Sequence, residues 1–157
     1  MDRSVAEPAE DETDPMFLTF SLGAEDYGIP LERVLEIIGM QAITPIPDTP
    51  AHVRGVINLR GKVIPVFDAR ARFGLPGKEY ESRTCIIVVQ AAGWSVGLVV
   101  DRVSEVIAIP DDLTEPPPPV TVATGEHYLA GLGKVGDRVR LLLDVDRFLA
   151  GQTRVAA

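Results

Sequence analysis

The sequence predicts a mainly β fold of two barrel-like subdomains with a few short helices. Three features predict it: short apolar runs punctuated by glycine and proline, tight turns between successive runs, and an internal repeat. With 157 residues the chain can bury a core without disulfide support, and Cys85 is its single cysteine.

Residues 1–15 contain six acids, Asp2, Glu7, Glu10, Asp11, Glu12 and Asp14, against Arg3, and no aromatic residue, so they are expected to form a disordered acidic tail. Phe17–Leu22 and Tyr27–Pro30 read as strands joined through Gly23–Asp26. Leu31–Ile38 is ambiguous: Leu31, Val34, Leu35 and Ile38 fit helical spacing, while its β-branched content suits a strand. Thr49 before Pro50, with Gly55 after Arg54, has the cap, first-turn proline and closing glycine of a helix barely longer than one turn. Val56–Leu59 and Val63–Asp68 flank the turn Arg60-Gly61. Asp68 then leads into Ala-Arg-Ala-Arg-Phe-Gly, an aspartate cap followed by a short helix.

The second half reads likewise. Thr84–Ala91 and Ser95–Val100 flank Ala92-Gly93, Val103–Ile109 follows, and Val139–Asp144 ends in a second aspartate before a short helix closed by Gly151. Pro116–Pro119 must be extended, and reads as a stiff surface loop in preference to a polyproline ligand. Residues 151–157 form a C-terminal tail, leaving 16–150 as the domain.

The two aspartate endings belong to a repeat. Gly28–Ile38 superimposes on Gly97–Ile107, matching Arg33 with Arg102, Val34 with Val103, Glu36 with Glu105 and Ile38 with Ile107. Gly55–Asp68 resembles Gly131–Asp144 as glycine, strand, turn, strand and capping aspartate. A duplicated unit of about 60 to 70 residues, small for a stable domain, implies two β-barrel-like subdomains face to face with a groove between them.

Composition narrows the function. The net charge is −8, of which −5 lies in residues 1–15, and aromatics are 6% of the chain, so a nucleic-acid barrel lacks its basic stripe and stacking rings. No run of about 18 apolar residues exists to enter a membrane, and the acidic start does not read as a secretory signal, so a cytoplasmic protein is expected. P-loop and HExxH patterns do not occur, His52 and His127 are far apart, and no metal or cofactor is expected. Asp68 and Asp144 could pose as paired carboxylates, but helix capping explains both by one cause. Cys85 opens Cys-Ile-Ile-Val-Val and reads as a small core residue, not a reactive thiol.

Charges in apolar company are the better clue. Glu36 lies inside Val34-Leu35-Glu36-Ile37-Ile38 and Arg60 caps the turn Asn58-Leu59-Arg60-Gly61, so the two are expected to pair at the rim of the groove, over a floor including Val34. A small-molecule or catalytic site around Glu36, Arg60 and Asp101 is the competing reading, weakened by the missing catalytic constellation.

Several segments resemble the CheW family of chemotaxis coupling proteins. They are Phe-Leu-Thr-Phe-Ser-Leu-Gly, Tyr27-Gly28-Ile29, Val34-x-Glu36-Ile37, Pro50 through Asp68 with its Gly-Val-Ile-Asn-Leu-Arg-Gly core, Val96–Val103 and Tyr128–Gly133. The resemblance covers about residues 16–150 and implies two five-stranded SH3-like barrels. It also implies a non-enzymatic adaptor joining the cytoplasmic tip of chemoreceptors to the regulatory domain of a CheA-type histidine kinase, in the cytoplasm at receptor arrays, or a relative serving twitching or gliding. By residue match it implies receptor-side positions at Val34, Glu36, Asn58, Arg60, Gly61, Cys85 and Ile86, and kinase-side positions at Gly97 and Val103. Ala69 follows Asp68 where the family usually has leucine.

Overall fold

The structure is a computed structural model that describes residues 14–91, 93–117 and 128–149. The expected acidic tail, apart from Asp14 and Pro15, lies outside them, as do Pro118, Pro119, His127 and the C-terminal tail. Eleven strands are described: β1 Met16–Leu22, β2 Glu25–Pro30, β3 Val34–Gly39, β4 Val53–Leu59, β5 Lys62–Asp68, β6 Cys85–Ala91, β7 Trp94–Val100, β8 Arg102–Ala108, β9 Thr114–Glu115, β10 Leu129–Val135 and β11 Arg138–Leu143. Two one-turn helices, α1 Ala69–Arg72 and α2 Val145–Phe148, follow β5 and β11. The strands form two sheets, β8-β1-β2-β11-β10-β9 and β3-β6-β7-β5-β4.

The repeat is real in three dimensions, but barrel and repeat do not coincide. The hairpin β1-β2 of the first half joins β8, β10 and β11 of the second, and β6-β7 of the second joins β3, β4 and β5 of the first. The halves exchange hairpins. Equivalence extends to register: Leu142 pairs in parallel with Gly28 as Val66 does with Gly97. Register shifts fall between Leu129 and Gly131 as between Val53 and Gly55.

Local chemistry explains most elements. Gly23, Gly61, Gly93 and Gly136 supply a positive φ at the four hairpin turns among the described residues, and Arg60 itself is left-handed at φ 53. The capping aspartates act as expected: Asp68 Oδ1 accepts from the amides of Arg70 (2.9 Å) and Ala71 (3.3 Å), and Asp144 Oδ1 from that of Arg147 (3.1 Å). Leu31–Arg33 forms a 3-10 turn, after which the β-branched run Val34–Ile38 is strand, because it completes a ladder on β6.

One expected helix is absent. Between Thr49 and Gly55 a single turn, closed by Val53 N–H on the Pro50 carbonyl at 2.9 Å, gives way directly to β4. Gly55 is not a helix stop. Its φ is +141 and a Cβ there would lie 2.0 Å from the Thr44 carbonyl oxygen, so this glycine lets residues 44 and 56 bridge across the bulge.

Two cores result. The larger lies between the sheets, around Phe20, Tyr27, Phe67, Ile87, Leu98, Phe148 and Leu149. There Tyr27 and Phe148 stack on Phe73 with ring centroids 4.9 and 5.0 Å away. Truncating a buried phenylalanine such as Phe148 costs about 3 to 5 kcal/mol. The smaller core, Ile57, Ile64, Val66, Ile86, Val88 and Val99, fills the barrel built on β3-β6-β7-β5-β4.

Candidate docking groove

The rim forms as expected. β3 carries Glu36 at the edge of its sheet, the β4-β5 turn carries Arg60 from the opposite edge, and Arg60 Nη2 donates to Glu36 Oε2. The pair therefore closes the seam of the barrel. Asn58 holds the turn, its Oδ1 accepting from the Gly61 amide at 2.8 Å, and thereby sustains the left-handed Arg60. The hydrogen bond to Glu36 raises the Arg60 pKa and keeps it a cation. Arg60 is 70% exposed and Glu36 31%, so the rim is open to a partner. On the alternate face of β3, Leu35 and Ile37 leave nearly half their surface in water, an unusual display for two large aliphatics on one strand.

The other matched positions separate by depth. Val34 is half-buried against the inter-sheet core. Ile86 is fully buried in the smaller core, and Gly97 is buried opposite it, where a Cβ would approach Ile86 Cγ2 to 2.8 Å. These two residues shape the barrel and do not present a side chain to a partner. Cys85 pairs with Gly39, and burial pushes its thiol above the ordinary value, in keeping with an unreactive side chain. Val103, matched to a kinase-side position, lines the same surface pocket as Cys85, so the structure joins two residues that the sequence assigned to different partners. Arg83 and Arg102 complete that pocket with Ser104. Sequence reasoning missed Arg83; Arg102 stood out only as the repeat partner of Arg33.

Among the described residues, Asp101 and His52 make contacts apart from the Glu36–Arg60 pair. Asp101 accepts from Arg70 Nη1 at 2.6 Å and from the Gly23 amide at 2.7 Å, a structural role away from the Glu36–Arg60 pair. His52 packs edge-on against Phe67 with centroids 6.4 Å apart. Among the described residues no group of three or more His, Cys, Asp or Glu could hold a metal ion, and no helix is long and apolar enough to cross a membrane.

The exchanged hairpins place the chain in the class of double β-barrel proteins, here with a charged rim and exposed aliphatics. Residues 16–152 match the family model of the CheW-like domain. The chain is 39% identical over 136 residues to the chemotaxis protein CheW of Klebsiella aerogenes, spanning 87% of this chain and 82% of that one. It is 32% identical over 149 residues to protein FrzA of Myxococcus xanthus, spanning 94% and 92%. The crystal structure of the scaffolding protein TtCheW from Thermoanaerobacter tengcongensis superimposes with a TM-score of 0.81 at 37% identity, covering 87% of this chain and 93% of that one. The chain belongs to the CheW-like family.

Proposed function

We propose that this protein is a non-enzymatic chemotaxis adaptor that couples the helical cytoplasmic tip of chemoreceptors to the regulatory domain of a CheA-type histidine kinase, working in the cytoplasm at receptor arrays. The observation that carries this reading is the exposed Glu36–Arg60 pair, whose Glu36 lies on β3, a strand that also exposes Leu35 and Ile37, in a CheW-like domain. Exposed aliphatics bind the apolar face of a helix, and a charged rim fixes its register. Single contacts can be weak, because an array supplies many at once and raises the effective concentration of each. Val34, Glu36, Asn58, Arg60, Gly61, Cys85 and Ile86 serve the receptor side, Ile86 from within the barrel. Gly97 and Val103 serve the kinase side, and Val103 also borders the Cys85 pocket. The likeness to FrzA supports a second reading, an adaptor of a related non-flagellar pathway with the same chemistry and different receptors.

The test is capture of the purified protein by a co-encoded receptor tip and by the kinase regulatory domain, with Arg60→Glu in parallel. Wild type is expected to bind both. Arg60→Glu should lose receptor affinity by about tenfold or more while keeping its melting temperature and kinase binding, because the substituted side chain is exposed and like-charge contact with Glu36 breaks the rim. Unchanged receptor capture by the variant would remove the rim from the site, and capture by neither partner would overturn the adaptor reading.

A further inference from the structure

We infer that the pocket between the start of β6 and the β7-β8 crossover is a carboxylate-reading subsite of the receptor groove, with Arg83 and Arg102 as its specificity-determining residues. The inference deepens the adaptor reading and rests on it. The pocket is an open surface depression of about 520 Å3 lined by Arg83, Cys85, Arg102, Val103 and Ser104. It adjoins the end of β3: Cys85 pairs with Gly39, where a Cβ would meet nothing within 4 Å.

The charge on this pocket is unanswered among the described residues. Arg33, Arg54, Arg60, Arg70 and Arg138 each face a carboxylate. Arg83 makes no hydrogen bond or ion pair among the described residues, and the sole described contact of Arg102 is Nη2 to Ser21 Oγ at 3.5 Å. Two uncompensated guanidinium groups around one pocket, in a protein of net charge −8, attract an acidic side chain. Guanidinium also grips a carboxylate through two parallel N–H donors, which favours this occupant over a neutral one. Val103 and the protonated Cys85 thiol supply an apolar wall with no competing negative charge, matching an aliphatic neighbour of that carboxylate.

The fold does not impose this sign. In the repeat, Arg83 is equivalent to Asp14 and Cys85 to Met16, while Arg102 is equivalent to Arg33, whose charge is answered by Asp146. The basic pocket is therefore a property of these side chains, and the occupant it fits is a glutamate or aspartate flanked by aliphatic residues on the receptor's helical tip.

The experiment is a titration of the full chain with the receptor cytoplasmic tip, comparing wild type, Arg83→Glu/Arg102→Glu and Arg83→Lys/Arg102→Lys. At about 50 mM salt the glutamate pair should cost about tenfold or more in affinity, and the difference should shrink at about 300 mM salt as screening rises. The lysine pair should keep the salt dependence with part of the affinity, and kinase-domain binding and melting temperature should hold in both variants. Receptor affinity of the glutamate variant within about twofold of wild type at low salt overturns the subsite while leaving the adaptor reading intact. A wild type that binds no receptor tip overturns both.

Discussion

Arg140 is the side chain at which the two barrels differ most. Its repeat equivalent is Ile64, buried in the smaller core, yet Arg140 is only 7% exposed and its Nε and Nη1 have no hydrogen-bond partner among the described residues. Nη2 reaches Glu105 Oε2 at 3.5 Å, a long contact to a carboxylate that is itself 58% exposed. Burying a guanidinium costs several kcal/mol unless its donors are answered, and here most are not. Arg140→Leu should therefore raise stability by about 1 kcal/mol or more, seen as a higher urea midpoint at unchanged slope, since Glu105 can return to water. A lower midpoint would mean that the guanidinium is compensated in solution. The strand periodicity of Val139–Asp144 placed this residue correctly on β11. The sequence could not show that its side chain is enclosed, because an arginine in a strand is ordinarily solvated.

Elements that cross from one sheet to the other are clamped by ion pairs of opposite polarity. At the β7-β8 crossover, Asp101 takes Arg70 of α1 at 2.6 Å and the Gly23 amide of the β1-β2 turn at 2.7 Å. At the equivalent β2-β3 crossover, Arg33 donates to both Asp146 oxygens on α2, at 3.0 and 2.7 Å, and to the Gln90 carbonyl of β6 at 3.0 Å. Each clamp thus ties a crossover to a capping helix and a hairpin. Their strengths should differ, because Arg70 and Asp101 side chains are 16% and 15% exposed and Arg33 and Asp146 are 34% and 49%. Asp101→Asn is expected to cost about 1 to 3 kcal/mol and Asp146→Asn less than about 1 kcal/mol. Thermal unfolding of the two variants decides it, and equal losses would refute the ranking. Both short helices were legible because an aspartate cap is a local signal. The false helix at Thr49–Gly55 offered the same local signals, but there the left-handed glycine serves a long-range contact with Thr44 that no window of sequence contains.

For the whole molecule, hairpin exchange determines how it holds together. The repeat, the turns and most strand segments could be read from the chain, since each is a pattern in the sequence itself. Which hairpin joins which sheet could not, because β1-β2 and β6-β7 have the same local character and either placement satisfies it. The choice is made by the inter-sheet core, where Phe20 and Tyr27 of the first half meet Leu143 and Phe148 of the second, and Phe67 meets Leu98. Neither half can then complete a barrel alone: residues 14–76 keep β3, β4 and β5 without β6-β7, and residues 83–149 keep β8, β10 and β11 without β1-β2. The protein should unfold in one cooperative transition, with denaturant curves from tryptophan fluorescence and far-ultraviolet dichroism coinciding. Expressed separately, the two halves should be unfolded or aggregated, their sheet edges and core faces open. Mixed from denaturant, they should reassemble into a stoichiometric complex with the native dichroism spectrum, because the connection between Pro76 and Ser82 lies outside both sheets. A half that folds cooperatively by itself would contradict the exchange, since such a fragment would have to close its barrel with its own hairpin.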